Sequence, residues 1–191
     1  PARWVEVQST RSHVTTKVES NYQLRDIERP FPNPWRRSVR TSGIDFFADG
    51  RAAIVTYDGD VWIVDGLDKK LRSVKWKRFA SGLYEPLNLS IVNKQIYVFH
   101  RNEITRLHDY NNDGTADYYE NFCNIPVQSP ESREFALDIV KRPEGGFFIS
   151  KGGQQNKERG IHGGAVLAIS ADGRSTEVVA TNTREGYLGI H

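Results

Sequence analysis

Short apolar runs alternate with polar turns along most of this chain, and the pattern repeats three times. The repeats begin at Gly43, Leu87 and Ala136, so their starts lie 44 and 49 residues apart. Each repeat opens with a short apolar strand, a turn and a second strand rich in β-branched and aromatic residues. The turns are Asp49-Gly50, Asn93-Lys94 and Glu144-Gly145.

A third strand and a more polar fourth strand complete each repeat. Third strands are predicted at VWIV, EITRLH and AVLAIS, and fourth strands at KWKRFASG, ADYYENF and STEVVAT. The spacing leaves no room for crossover helices, which excludes a parallel α/β fold. Four strands at this period are typical of propeller blades. The pattern therefore predicts an all-β protein, specifically a β-propeller of four-stranded blades.

The same repeats predict the domain organisation. Residues 43–191 are expected to form blades one to three and, from Leu188, the opening strand of a fourth blade. Residues 1–42 are expected to form a lead-in and a ring-closing strand. Because a closed ring needs about four to eight blades, the predicted partner is the remainder of the propeller, supplied by the same protein or by a second chain. The absence of methionine also indicates a piece of a longer protein.

Composition narrows the range of functions. With 38% hydrophobic and 26% charged residues, and no apolar run of the length a membrane span needs, the chain is expected to be soluble. The net charge is +2, and acidic residues are interleaved with the basic ones. This interleaving argues against a nucleic-acid partner. The single Cys123 cannot form an internal disulfide and is interpreted as a small buried residue.

One loop carries a specific metal-binding pattern. DYNNDGTADYYE, from Asp109 to Glu120, fits the twelve-residue calcium motif, in which several oxygen ligands surround one hard cation. A hydrogen-bonded turn without metal is the alternative, although it does not require an acid at position twelve. The loop joins a third to a fourth strand, so a structural role is expected. The predicted Ca²⁺ ligands are Asp109, Asn111, Asp113, Thr115 through its carbonyl, Asp117 and Glu120.

A second candidate site follows from propeller geometry. Turns between second and third strands share one face with the links that enter the first strands, and that face is the default ligand site. It would gather acids, bases and cations suited to an anionic or polyhydroxyl ligand. A solvated polar rim is the alternative. The predicted catalytic residues are His162, Arg133, Arg184, Tyr57 and His100, and the predicted cofactor-binding residues are Lys151 and Arg101.

Several of these segments together carry a family resemblance. NPW near residue 33, GIDFFADGRAAIVTYDGDVWIVDGL, WKRFASGLYEPL, ITRLHDYNNDGTADYYENF and HGGAVLAISADG resemble bacterial extracytoplasmic propellers often labelled membrane-bound or sorbosone-type dehydrogenases. The resemblance covers roughly residues 31–191. It implies a ring of six or seven blades, a periplasmic or secreted location, and distant kinship with sugar dehydrogenases that use pyrroloquinoline quinone and calcium.

One departure from that family concerns the general base. Its catalytic His precedes a first strand in an H-x-G-G-x-L patch, whereas the comparable link here reads Ser132 to Phe135, and His162-Gly163-Gly164 precedes a third strand. Three functions therefore stay open. They are a sugar or polyol oxidoreductase with His162 as base and Arg133, Lys151 and Arg184 at a quinone, a lyase or hydrolase of acidic polysaccharides, and a non-catalytic binding propeller.

Overall fold

The chain folds into β-structure over the part that the computed structural model describes, which is residues 1–16, 24–101, 103–126, 134–153, 160–184, 186 and 188. These residues form fifteen strands in four antiparallel sheets and no helix. The strands are β1 (Val7–Thr10), β2 (Ser12–Thr16), β3 (Leu24–Ile27), β4 (Thr41–Phe46), β5 (Ala52–Thr56), β6 (Val61–Asp65), β7 (Val74–Ala80), β8 (Asn88–Val92), β9 (Gln95–Phe99), β10 (Ile104–His108), β11 (Tyr118–Cys123), β12 (Ala136–Lys141), β13 (Phe147–Lys151), β14 (Val166–Ile169) and β15 (Thr176–Ala180).

Three of the sheets are four-strand meanders that follow the chain. The first sheet runs β4-β5-β6-β7, the second β8-β9-β10-β11 and the third β12-β13-β14-β15. The four strands predicted in each repeat are therefore confirmed. Strand β1 pairs with β7 at the outer edge of the first sheet, and β2 pairs with β3 in a separate hairpin. The ring-closing role expected for residues 1–42 stays a prediction. Strand β1 from this segment pairs with β7 of the first sheet, and this pairing does not show how a ring would close.

The sheets pack face to face, with their first strands adjacent in the order β4, β8, β12. One apolar layer lies between the first and second sheets and includes Val55, Leu89 and Val98. A second layer lies between the second and third sheets and includes Phe99 and Ile149. Strands β4 and β8 approach so closely at Gly43 that an added Cβ would lie 2.6 Å from Asn88 Oδ1, so the glycine is required there.

A backbone hydrogen bond recurs at the same end of each sheet. It joins the link before the first strand to the turn after the second: Tyr57 N donates to Arg40 O, Arg101 N to Tyr84 O, and Gly152 N to Phe135 O, at 2.9, 3.1 and 2.9 Å. We call this end of the three sheets the link end; its residues are 37–42, 56–60, 83–88, 99–101, 134–136, 151–153 and 160–165. We call the opposite end, which carries residues 109–117, the loop end.

An aspartate on the first strand of a sheet accepts a backbone hydrogen bond from the segment packed against that strand. Asp45 Oδ2 accepts from Ile91 N at 2.7 Å, and Asp138 Oδ2 accepts from Leu188 N at 2.8 Å. Leu188, where a further first strand was predicted, thus occupies the position relative to β12 that Ile91 occupies relative to β4. Residues 189–191 lie outside the described part of the chain. No helix long and apolar enough to cross a membrane occurs among the described residues.

Candidate functional site

The link end gathers most of the predicted site residues from three separate sheets. Tyr57 lies in the β5–β6 turn, and His100 and Arg101 lie in the β9–β10 turn. Lys151 ends β13, and His162 lies in the loop that leads to β14. The tertiary fold therefore places these five residues at one end of the molecule, because the second-to-third-strand connections of successive sheets all lie there.

At the first sheet, arginines of the link pair with aspartates of the β5–β6 turn. Arg40 Nη2 lies 2.6 Å from Asp58 Oδ1, and both groups reach solvent. Asp60 is fully buried and accepts from Arg37 Nε at 3.0 Å and from Arg78 Nη2 at 2.8 Å. The two guanidinium groups compensate the buried carboxylate, and the excess positive charge lies nearer solvent at Arg37, so this cluster is chiefly a structural lock.

At the second sheet, Glu85 of the link joins Tyr57 to Arg101. The Glu85 carboxylate accepts a hydrogen bond from Arg101 Nε, and the Arg101 guanidinium lies 4.3 Å from the centre of the Phe135 ring. Burial and the hydrogen bond to Glu85 raise the pKa of Tyr57. The phenol therefore stays protonated at neutral pH and is suited to donate a hydrogen bond, not to act as a base. The half-exposed ring of Tyr84 lies on the same guanidinium, 5.8 Å from it.

His100 is buried beneath this rim. Its Nε2 lies 2.8 Å from Thr105 Oγ1, while its Nδ1 is buried and makes no hydrogen bond within the described part of the chain. Burial lowers the pKa of His100 more than the nearby Glu103 raises it. The ring is therefore neutral in the folded protein and faces the interior, which does not fit the catalytic role predicted for it.

At the third sheet, a carboxylate and an ammonium group are buried together. Glu134 is 0% and Lys151 1% exposed, and Lys151 Nζ lies 3.9 Å from Glu134 Oε2. Burial lowers the pKa of Lys151, and Glu134 opposes that shift. Burial and the Lys151 ammonium group both lower the pKa of His162. A half-buried imidazole that is neutral near pH 7 is suited to accept a proton.

Arg184 contributes its backbone and not its side chain to this cluster. Its side chain is exposed, and its backbone carbonyl accepts from Gly153 N at 2.7 Å. Arg133, another predicted catalytic residue, lies outside the described residues. The described cluster therefore consists of Tyr57, Glu85, Arg101, Glu134, Lys151 and His162.

The described residues do not fit an anionic quinone. Such a cofactor needs cations that face solvent, whereas the predicted pair, Arg101 and Lys151, is buried and faces Glu85 and Glu134. Separating either pair would take a buried cation away from the carboxylate that it faces. No step of a mechanism is therefore assigned to pyrroloquinoline quinone.

At the loop end, the predicted calcium ligands are tied together by short-range hydrogen bonds. Asp109 accepts from Asp113 N at 3.1 Å and from Gly114 N at 2.8 Å, and Asn111 Oδ1 accepts from Asp113 N at 2.9 Å. Asp117 accepts from Tyr110 N at 2.8 Å and from Asn111 Nδ2 at 2.9 Å. These are the contacts of an Asx-turn loop.

Glu120 does not point into this loop. On β11 it pairs in register with Arg106 of β10, and its Oε2 lies 2.6 Å from His108 Nε2. The Lys77 ammonium group donates to the Asp113 carbonyl on the other side. Among the described residues, no three acidic, histidine or cysteine side chains are placed to hold one metal ion. Calcium coordination would require Glu120 to leave His108, so the calcium site stays a prediction.

Some link-end residues were missed from the sequence. Asp60, Arg37, Arg40 and their neighbour Arg78 on β7 were not predicted, although Arg40 directly precedes a first strand. Tyr84 was also missed, and its position beside Glu85 in the link was the available signal. Glu134 was placed on the face but not among the catalytic residues.

Comparisons of the chain with family models, curated proteins and solved structures found no match.

Proposed function

We propose that the three sheets are blades of a β-propeller, and that the link end is the face on which it binds a carbohydrate. Support for the propeller comes from three meanders packed through adjacent first strands, with one hydrogen bond repeated at each link. The bond from Leu188 to Asp138 supports a further blade beyond the third sheet. The remaining blades, in the same protein or a second chain, are the proposed partner.

Carbohydrate binding is supported by the chemistry of the face. The carboxylates of Asp58 and Glu85 and the guanidinium group of Arg40 reach solvent along it, and such planar groups match the paired hydroxyls of a sugar ring. The observation that carries the proposal is Tyr84, an aromatic ring 50% exposed beside this ionic row. Aromatic faces and polar rims are the usual components of sugar sites.

The resemblance to sugar dehydrogenase-type propellers suggests that the bound sugar is oxidised, its hydroxyl losing a proton and the same carbon passing a hydride to a quinone-class two-electron acceptor that the remainder of the propeller would hold. The neutral imidazole of His162 is the group suited to accept the proton of a sugar hydroxyl. An extracytoplasmic location and a structural calcium ion are proposed on the same resemblance. A non-catalytic binding propeller is the second candidate, favoured by the pairing of Arg101 and Lys151 with buried or half-buried carboxylates.

The experiment that tests binding uses two tyrosines of equal exposure. The chain is screened against neutral and acidic oligosaccharides on an array, and hits are measured by calorimetry. We expect Tyr84→Ala to weaken binding by about tenfold, the effect of removing one well-packed aromatic contact. Tyr118→Ala, which removes an equally exposed ring at the loop end, should leave the affinity unchanged. Absence of any saccharide ligand, or equal losses in both variants, would contradict the proposal.

A second assay separates the two candidate functions. Sugars and polyols that bind are supplied with an artificial electron acceptor, with and without added quinone and calcium, and acceptor reduction is followed. Reduction that depends on His162 supports the oxidoreductase. Binding without turnover under all these conditions supports the non-catalytic propeller.

A further inference from the structure

The third sheet departs from the other two at two equivalent positions of the link end. The backbone hydrogen bond repeated in each sheet shows which positions of the three sheets are equivalent. In each sheet, a buried residue precedes the residue that donates this bond, and another precedes the residue that accepts it. Those residues before the accepting carbonyl are Val39, Leu83 and Glu134, and those before the donating amide are Thr56, His100 and Lys151. Two sheets thus bury an apolar and an uncharged residue where the third buries an ion pair.

Stability of the sheet does not require these charges. A buried ion pair loses hydration on both partners, and replacing it by residues that pack well is often neutral or stabilising. Val39 with Thr56 and Leu83 with His100 show that uncharged residues occupy this place in the same protein. The contacts of the pair therefore point to its role.

The Glu134 carboxylate is surrounded by the turn that carries His162. Its Oε1 accepts from Gly160 N at 2.9 Å, and Gly163 N closes the turn on Gly160 O at 3.0 Å. Gly163 lies against the same carboxylate, since an added Cβ would overlap Oε1. His162 therefore projects from a turn wrapped around Glu134, and its imidazole is close enough to Lys151 to feel the ammonium charge.

The backbone next to this pair is also different in the third sheet. Gly152 occupies the position that carries Tyr57 in the first sheet and Arg101 in the second. At this position of the described chain, the first two sheets therefore carry a side chain and the third does not.

We propose that the Glu134–Lys151 pair is a positioning pair, which holds the 160–164 turn so that His162 faces the carbohydrate bound above the third sheet. The inference rests on the proposed function, because it names the part of the link end where the reacting sugar lies. Glu134 and Lys151 act through His162, and neither is assigned contact with the sugar.

The test transplants the uncharged pair of the second sheet into the third. In the double variant Glu134→Leu with Lys151→His, we expect an unfolding midpoint equal to or above that of the unchanged protein. The imidazole cross-peaks of His162 in a carbon–proton correlation spectrum should move toward random-coil positions. Saccharide binding should weaken about fivefold to tenfold, as for the loss of one hydrogen bond between neutral groups. The same variant carrying His162→Gln identifies the signals of the added histidine.

Controls make each outcome decisive. Val39→Leu brings the second sheet's residue into the first sheet and should move neither the His162 signals nor the affinity. Glu134→Val with Lys151→Thr, which copies Val39 and Thr56 of the first sheet, gives the same readout if the first double variant does not fold. Unmoved His162 signals in a folded variant would overturn the inference even where saccharide binding is intact. Shifted signals in a protein that binds no saccharide would support positioning and reject the proposed function.

Discussion

The two ends of the sheets hold their charges by different means. At the loop end, the side chains of Asp109, Asn111 and Asp117 accept hydrogen bonds from groups two to seven positions apart. At the link end, Glu85 pairs with Arg101 and Asp60 with Arg78, sixteen and eighteen positions apart, across strands and turns. The side-chain contacts of the loop end are therefore specified by a local motif, whereas those of the link end exist only when each sheet has formed.

The largest expected effect breaks the link end. Asp60→Ala leaves Arg37 and Arg78 without their buried carboxylate, and we expect it to lower the free energy of unfolding by about 3–5 kcal/mol. Chemical denaturation measures this change. Asp49→Ala removes the exposed partner of Arg51 and serves as the control, with little measurable change expected. Equal effects would mean that burial does not distinguish the two pairs.

A somewhat smaller effect is expected from calcium at the loop end. If Glu120 leaves His108 to coordinate Ca²⁺, a hundredfold excess over the dissociation constant should stabilise the fold by about 2.7 kcal/mol. Thermal unfolding with added Ca²⁺ or chelator measures this, and Asp113→Ala and Glu120→Gln should abolish the response. A melting temperature insensitive to both Ca²⁺ and chelator would leave only the hydrogen-bonded turn.

The local motif itself can be broken at its glycine. Gly114 has a φ of +79°, and an added Cβ would lie 2.5 Å from Lys77 Nζ. We expect Gly114→Ala to cost about 1–2 kcal/mol of unfolding free energy from the left-handed backbone alone. Gly50→Ala is the matched control, with a φ of +88° and open space around the added carbon. Urea unfolding of both variants measures the two losses of unfolding free energy, and their difference is the contribution of the contact with Lys77. Equal losses would mean that Lys77 contributes nothing.

The smallest effect concerns pH at the link end. His100 has a lowered pKa when folded, so below its ordinary value of 6.5 the unfolded chain takes up a proton that the folded chain does not. Stability should therefore be constant above that pH and fall as the pH decreases through it. His100→Thr, which copies Thr56 of the first sheet, should remove this part of the pH dependence. If the free energy of unfolding of this variant, measured with urea between pH 5 and 8, depends on pH as it does in the unchanged protein, the pH dependence belongs to other groups.

Much of the fold could be predicted because strands and turns depend on residues that are close together in the sequence. Alternating apolar residues and turn dipeptides located all four strands in each repeat, down to the turns at Asn93 and Gly145. The calcium motif was likewise visible, yet Glu120 turned to His108, because a residue on a paired strand faces its cross-strand neighbours as well as the preceding loop.

The link end was predicted as a region and not as a set of contacts. The residues of this end could be predicted from the order of strands and turns, since the connections between second and third strands all lie at the same end of their sheets. Which arginine meets which carboxylate depends on how each link and strand folds against the turns of its own sheet, so Asp60 and Arg78 carried no signal of their own. Similarly, Arg101 and Lys151 were predicted to bind a cofactor, but the fold buries each beside a glutamate from a link.

The sequence by itself determined the period, the strands and the turns of this protein, because these depend on residues a few positions apart. Only the tertiary structure decided that Glu134 and Lys151 are buried together beneath the His162 turn, in the place where the other sheets bury Val39 with Thr56 and Leu83 with His100. The physical reason is that burial and ionic pairing are properties of the folded sheet, since Glu134 and Lys151, seventeen positions apart, become partners only when the link closes onto the turn of its own sheet.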